Sequence, residues 1–168
     1  MKCLFVHQFS TRFGRFQLAE TEKGIAVIGL PTESSTRFLS VLAKKFDGYK
    51  IAQGGSENRK AEKQIQAYLR GKLKKFSLRL DLRGTPFQRK VLRQVAAIPY
   101  GRTKTYGAIA IAIGLPGAAR AVGMANARNL HPLIIPCHRV VASNGLGGYG
   151  GGLKLKKQLL EIENIKIC

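Results

Sequence analysis

TPFQRKVLRQVAAIPYGRTKTYGAIAIAIGLPGAARAVGMANAR, residues 85–128, reads as three helices in succession. Thr85 can cap the first, Pro86 suits its opening turn, and Gln88 three residues on completes a capping box. Phe87, Val91, Leu92, Val95 and Ile98 then share one face until Pro99-Tyr100-Gly101 breaks the period. Thr105 caps a short helix over 106–113, which Gly114-Leu115-Pro116-Gly117 stops, and a third helix over 118–128 ends at Asn129. Two short helices joined by four turn residues have the outline of a helix-turn-helix.

Upstream the pattern changes. Extended segments are expected over 3–6, 13–19 and 25–30, then helices over 35–46 and 57–69 with Gln53-Gly54-Gly55-Ser56 as a loop between them. The segment 76–82 alternates with period two and reads as a returning strand. The fold class expected is therefore α+β: a small N-terminal α/β domain over 1–82, in which nothing looks catalytic, and a helical domain over 83–168.

The chain has 168 residues with 45% hydrophobic content, which is globular composition and excludes disorder despite a formal charge of +20. No run of about 18 apolar residues is available to span a membrane. The N-terminus, broken by His7, Gln8, Arg12 and Arg15, lacks the apolar region of a signal peptide, so the expected location is intracellular. Cys3, Cys137 and Cys168 are too few for a disulfide framework, and with three histidines they form no metal-binding spacing, so no metal is expected.

Charge distribution says more than net charge. Residues 1–80 carry 16 basic and 6 acidic side chains and residues 81–168 carry 13 and 3, yet 82–160 contains no carboxylate at all. Such a surface either serves solubility or meets a polyanion, and nucleic acid fits better than a membrane because no basic amphipathic helix is present. The helix 118–128 is rich in small residues: Ala118, Ala119, Ala121, Gly123, Ala125 and Ala127. Either they pack tightly on a neighbouring helix, or the helix enters a narrow, sequence-blind groove with Arg120 as its one long reach.

A short buried strand is expected over 133–135, leading into Pro136-Cys137-His138-Arg139. After it comes a loop over 143–152 with six glycines in ten residues. A lone cysteine is commonly inert core, but a thiol beside an imidazole, facing a loop that admits a flat ligand, is the recipe for a sulfur nucleophile. The imidazole needs an orienting carboxylate. On a helix over 153–165, Leu155, Leu159 and Ile162 define a buried stripe with Leu160 at its edge. Glu163 falls between Leu159 and Leu160 one turn on, whereas Glu161 points away. An inward carboxylate requires a partner, unless Glu163 merely frays at the helix end.

Pro136-Cys137-His138-Arg139-Val140-Val141, with Arg120 and Asn129 before it and Tyr149-Gly-Gly-Gly-Leu and Glu163 after it, resembles the O6-alkylguanine-DNA alkyltransferases from 85 to 163. The resemblance implies a ribonuclease-H-like N-terminal domain and a winged-helix-like C-terminal one. It implies direct transfer of an alkyl group from guanine O6 to Cys137, with His138 as base through a bound water and Glu163 orienting His138. Asn129 matches a hinge between recognition helix and reactive segment. Tyr106 matches the tyrosine that rotates the nucleotide and donates to guanine N3. Arg120 matches the arginine that fills the gap left by the flipped base, with Ala119, Ala121 and Gly123 alongside it on the DNA. Val140, Tyr149, Gly150, Ser143 and Pro132 would form the base pocket. The implied partner is double-stranded DNA containing O6-alkylguanine, met by a cytoplasmic monomer without cofactor or metal. Gly150 stands where many members have a hydroxyl residue, Asn129-Leu130 replaces a frequent Asn-Pro, and the zinc ligands of some members are missing. The rival readings are a Cys-His peptidase or acyl transferase and a non-catalytic lesion-binding module.

Overall fold

Strands β1 (Cys3–Thr11) and β2 (Gly14–Thr21) form an antiparallel hairpin whose register closes at Thr11 opposite Gly14. β3 (Gly24–Gly29) continues the meander on β2, with a register shift at Ala19/Glu20. These strands belong to a computed structural model that describes residues 1–167 and resolves two compact units, 1–81 and 82 to the C-terminus. Cys168 lies outside the described residues.

In the first unit, α1 (Ser35–Lys45) follows β3, starting where the Ser34 side chain accepts the Arg37 N–H. It leads to β4 (Lys50–Gln53), which pairs parallel with β1 and makes the sheet order β3-β2-β1-β4. α2 (Ser56–Leu69) packs on β1, β2 and β3, with Ile65 and Tyr68 fully buried beside Leu4, Phe16, Leu18 and Ile25. β4 runs into the expected loop at Gln53; three of its four residues are exposed, and only the pairing with β1 makes it a strand. The strand expected over 76–82 is corrected to an extended segment with one bridge, Leu80 to Ile25. Its ladder consists of the Ile25 N–H to Arg79 O and Asp81 N–H to Ile25 O bonds. It stops where Asp81 turns inward to accept the Thr21 hydroxyl at 2.8 Å.

In the second unit, α3 (Pro86–Ala96) begins with both halves of the Thr85/Gln88 capping box in place. Val91, Leu92 and Val95 bury its inner face, and α3 packs against α4 (Tyr106–Ala112) and α5 (Ala119–Ala127). Ala125 is buried and Ala127 exposed, so of the two only Ala125 serves packing. The segment 133–135 is not a strand. It is a turn in which Leu133 sits at φ 74° and Ile135 N–H bonds His131 O. The strands of this unit are instead two residues long, β5 (Lys104–Thr105) parallel to β6 (Val140–Val141). The final helix, α6 (Leu153–Ile162), is shorter than the expected 153–165. Its buried stripe is Leu155, Lys156, Leu159 and Leu160 rather than Leu155, Leu159 and Ile162, and Ile162 is only half-buried.

Among the described residues no helix is long and apolar enough to cross a membrane, and no group of three or more His, Cys, Asp or Glu is placed to hold a metal. His7 pairs with Glu62.

Candidate active site

The β5–β6 pairing sets Thr105 opposite Val141, so Tyr106 starts α4 beside the strand that leaves a single 3₁₀ turn, Cys137–Arg139. The approach to Cys137 is held by amides rather than by a ladder. Asn129 donates to Ile135 O at 2.8 Å and accepts the His131 N–H at 2.9 Å, which ties the end of α5 to the turn that carries Leu133. Asn126 adds a 3.3 Å bond to Cys137 O. Cys137 is 7% exposed, and the side chains of Asn129 and Tyr149 flank its sulfur.

His138 and Glu163 are fully buried and joined at 2.8 Å between Nε2 and Oε1, so the carboxylate engages Nε2 and leaves Nδ1 as the nitrogen turned from it. Arg139 holds the same carboxylate through Nε and Nη2 at 2.9 Å each, while its Nη1 reaches Ile98 O at 2.7 Å. The Gly101 N–H donates to Glu163 Oε2 at 3.1 Å. Burial lowers the His138 pKa below its ordinary value, against the pull of Glu163, and the Arg139 charge adds to the lowering. Burial raises the Cys137 thiol, opposed by the Asn129 and Tyr149 side chains and by the charge of Lys156. At neutral pH both groups therefore rest uncharged, and sulfur becomes a nucleophile only when its proton is taken.

Above the sulfur, the Tyr106 hydroxyl donates to Gly148 O at 3.4 Å, and burial raises its pKa, helped by the charge on Cys137. The Tyr106 ring lies between two glycines. A Cβ on Gly123 would come 3.8 Å from it, and one on Gly147, at φ +71°, would come 3.0 Å from it. Gly148 and Gly150 have open space where a side chain would be. Val140 and Pro132 are buried, Tyr149 is half-buried, and Ser143 is exposed. Arg120 and Ala121 are exposed on α5, with Ala119 and Gly123 half-buried. The structure thus brings Cys137, His138, Glu163, Asn129, Tyr106 and Tyr149 together, and leaves Arg120 and Ser143 outside that cluster.

Two members of the cluster are not singled out by the sequence: Arg139 is there only a letter of the motif, and Lys156 one basic residue among many. Lys156 is 0% exposed, with its Nζ bonded to Val140 O and Leu146 O at 2.7 Å and to Gly148 O at 2.9 Å. One signal was available: Lys156 and Glu163 are seven residues apart, two turns on one helix face.

Comparison with known proteins bears on this cluster. Residues 86–165 match the family described as 6-O-methylguanine DNA methyltransferase, DNA binding domain. A methylated-DNA–protein-cysteine methyltransferase of Mycobacterium bovis is 54% identical over 101 residues, 60% of this chain and 61% of that protein's length. The constitutive methylated-DNA–protein-cysteine methyltransferase of Bacillus subtilis is 41% identical over 159 residues, covering 89% of this chain and 95% of that protein. The crystal structure of Mycobacterium tuberculosis OGT in complex with DNA is 38% identical. It superposes with a TM-score of 0.81 over 95% of this chain and 92% of that one.

Proposed function

The chain belongs to the methylated-DNA–protein-cysteine methyltransferase family, and we propose that it repairs DNA by moving an alkyl group from guanine O6 to Cys137, once per molecule. The observation that carries this reading is a buried thiol, flanked by the Asn129 and Tyr149 side chains and next in sequence to an imidazole fixed by a carboxylate. His138, kept neutral by burial, takes the thiol proton, and Glu163 stabilises the imidazolium that results. Sulfur forms a bond to the alkyl carbon as the carbon–O6 bond breaks, and the electron pair of that bond stays on guanine. Guanine gains a proton through Tyr106, and return of the His138 proton to Tyr106 closes the balance. The product is a stable thioether, so the sulfur is not returned to a thiol and the chain acts once.

The target atom lies inside the duplex, so the nucleotide must leave the stack. Arg120, exposed on α5 between Ala119 and Ala121, is the side chain assigned to the vacated gap. Small neighbours let α5 approach the minor groove closely. Val140, Tyr149, Gly150, Ser143 and Pro132 receive the flipped base, with Gly148 and Gly150 leaving room at the loop. Duplex DNA bearing O6-alkylguanine is the substrate, one chain acts on one lesion, and the two meet in the cytoplasm, or in the nucleus of a eukaryotic cell.

Intact-mass analysis after mixing with a duplex containing one O6-methylguanine tests the reading. One methyl per chain on Cys137, with activity ending after one turnover, is expected. Repeated turnover, or a methyl on Cys3 or Cys168, would overturn it. A lesion complex without mass gain would identify the non-catalytic alternative.

A further inference from the structure

A lysine with no exposed surface is rare, because burying an ammonium is costly unless every donor finds an acceptor. Lys156 meets that condition with three carbonyls and no carboxylate. The three acceptors are not neighbours in function. Val140 belongs to β6, directly after the reactive turn, and Leu146 and Gly148 flank the glycine at which the loop turns back over Tyr106. By contrast, the backbone bond from the Gly145 N–H to Ala142 O is long, at 3.5 Å. The loop has glycines at 145, 147, 148, 150, 151 and 152, so its own backbone resists little.

We propose that Lys156 is a positioning residue, whose ammonium ties the glycine-rich loop to the strand after Cys137 and holds the base pocket in its receiving shape. This role rests on the alkyl transfer proposed above. It has a second consequence, because Gly148 O accepts from both the Lys156 ammonium and the Tyr106 hydroxyl. When Tyr106 turns its hydroxyl to the base, Lys156 keeps that carbonyl satisfied, so the tyrosine leaves without stranding an acceptor. A neutral amine has two N–H donors for three carbonyls and cannot do this. Burial lowers the Lys156 pKa to about 8, against the raising effect of Cys137. The other titratable groups facing this network are Tyr106, raised above 10, and His138, lowered below 6.5, so neither changes charge between pH 7 and 9.

The test compares Lys156→Met, Lys156→Gln and Lys156→Arg with the unaltered chain in two assays. One is single-turnover transfer from an O6-methylguanine duplex. The other is alkylation of Cys137 by iodoacetamide, which reads the thiolate without needing the base pocket. Transfer should fall on the order of tenfold or more in all three variants, since small misplacement of reacting groups is enough for such losses. Iodoacetamide alkylation should change by much less. In the unaltered chain the quotient of transfer over iodoacetamide rates should fall as pH rises through about 8, and in Lys156→Met it should stay level. Equal losses in both assays would show that Lys156 acts through the charge on sulfur, and overturn the positioning role. So would a Lys156→Arg chain that transfers at the unaltered rate, since charge without the three-point geometry would then suffice. If Lys156→Met does not fold, the Gln and Arg chains decide the matter by the same two assays. An unaltered chain that takes no methyl overturns the reaction itself, a result plainly different from a variant effect.

Discussion

In residues 1–81 three carboxylates are buried, and each accepts a hydrogen bond from a backbone N–H or a hydroxyl elsewhere in the unit. Glu20 caps α2 by accepting the Asn58 N–H, Glu57 accepts the Arg79 N–H at 3.1 Å, and Asp81 accepts the Thr21 hydroxyl. In the described part of the second unit Glu163 is the buried carboxylate, and it is shared by His138, Arg139 and Gly101 in a pocket that also holds Cys137 and Lys156. Burial alone therefore does not mark a functional acid. What separates the two regions is the kind of partner: donors that never change protonation in the first, and an imidazole one step from a thiol in the second.

Arg139→Met should have the largest effect. It leaves Glu163 charged and buried without its main counter-ion, and urea unfolding should report a loss of about 3–5 kcal/mol at neutral pH. The loss should shrink as pH falls, because a protonated Glu163 no longer needs the guanidinium. An equal loss at all pH would mean the residue matters for packing alone. Next, Glu163→Gln should slow single-turnover transfer by roughly 10²-fold, by removing the charge that stabilises protonated His138. If the rate holds, the buried carboxylate of the second unit is as structural as the three of the first and the contrast fails.

Asp81→Asn tests the other side. The Thr21 hydroxyl keeps an acceptor, so stability should drop by only about 1 kcal/mol, and transfer should be unchanged. A slowed reaction would mean that the N-terminal unit takes part in chemistry. Smallest of all is Glu161→Gln. Glu161 is exposed two residues before Glu163 on the opposite face of α6, so stability should stay within about 0.5 kcal/mol and the rate should not move.

Sequence alone determined what is local or periodic. The capping box at Thr85 and Gln88, the cap at Thr105 and the stop at Gly114 are set by residues three or four apart, and α3, α4 and α5 appear where those signals put them. Cys137 beside His138 is legible as adjacency, and the inward facing of Glu163 as an angle on a helix. Only the tertiary structure decided which cations are buried. Apart from the spacing of Lys156 to Glu163, little around Arg139 or Lys156 in the sequence distinguishes them from the surface cations, because their acceptors, Ile98, Glu163, Val140, Leu146 and Gly148, lie 8 to 41 positions away. The same holds for β4, β5 and β6, which are too short to show alternation and exist only through their partners. It holds too for the turn at Leu133, where Asn129 supplies bonds that the apolar run Leu133-Ile134-Ile135 gives no reason to expect. Periodicity records which side of an element faces inward, whereas the partner that makes burial of a charge or a bare strand tolerable comes from another part of the chain.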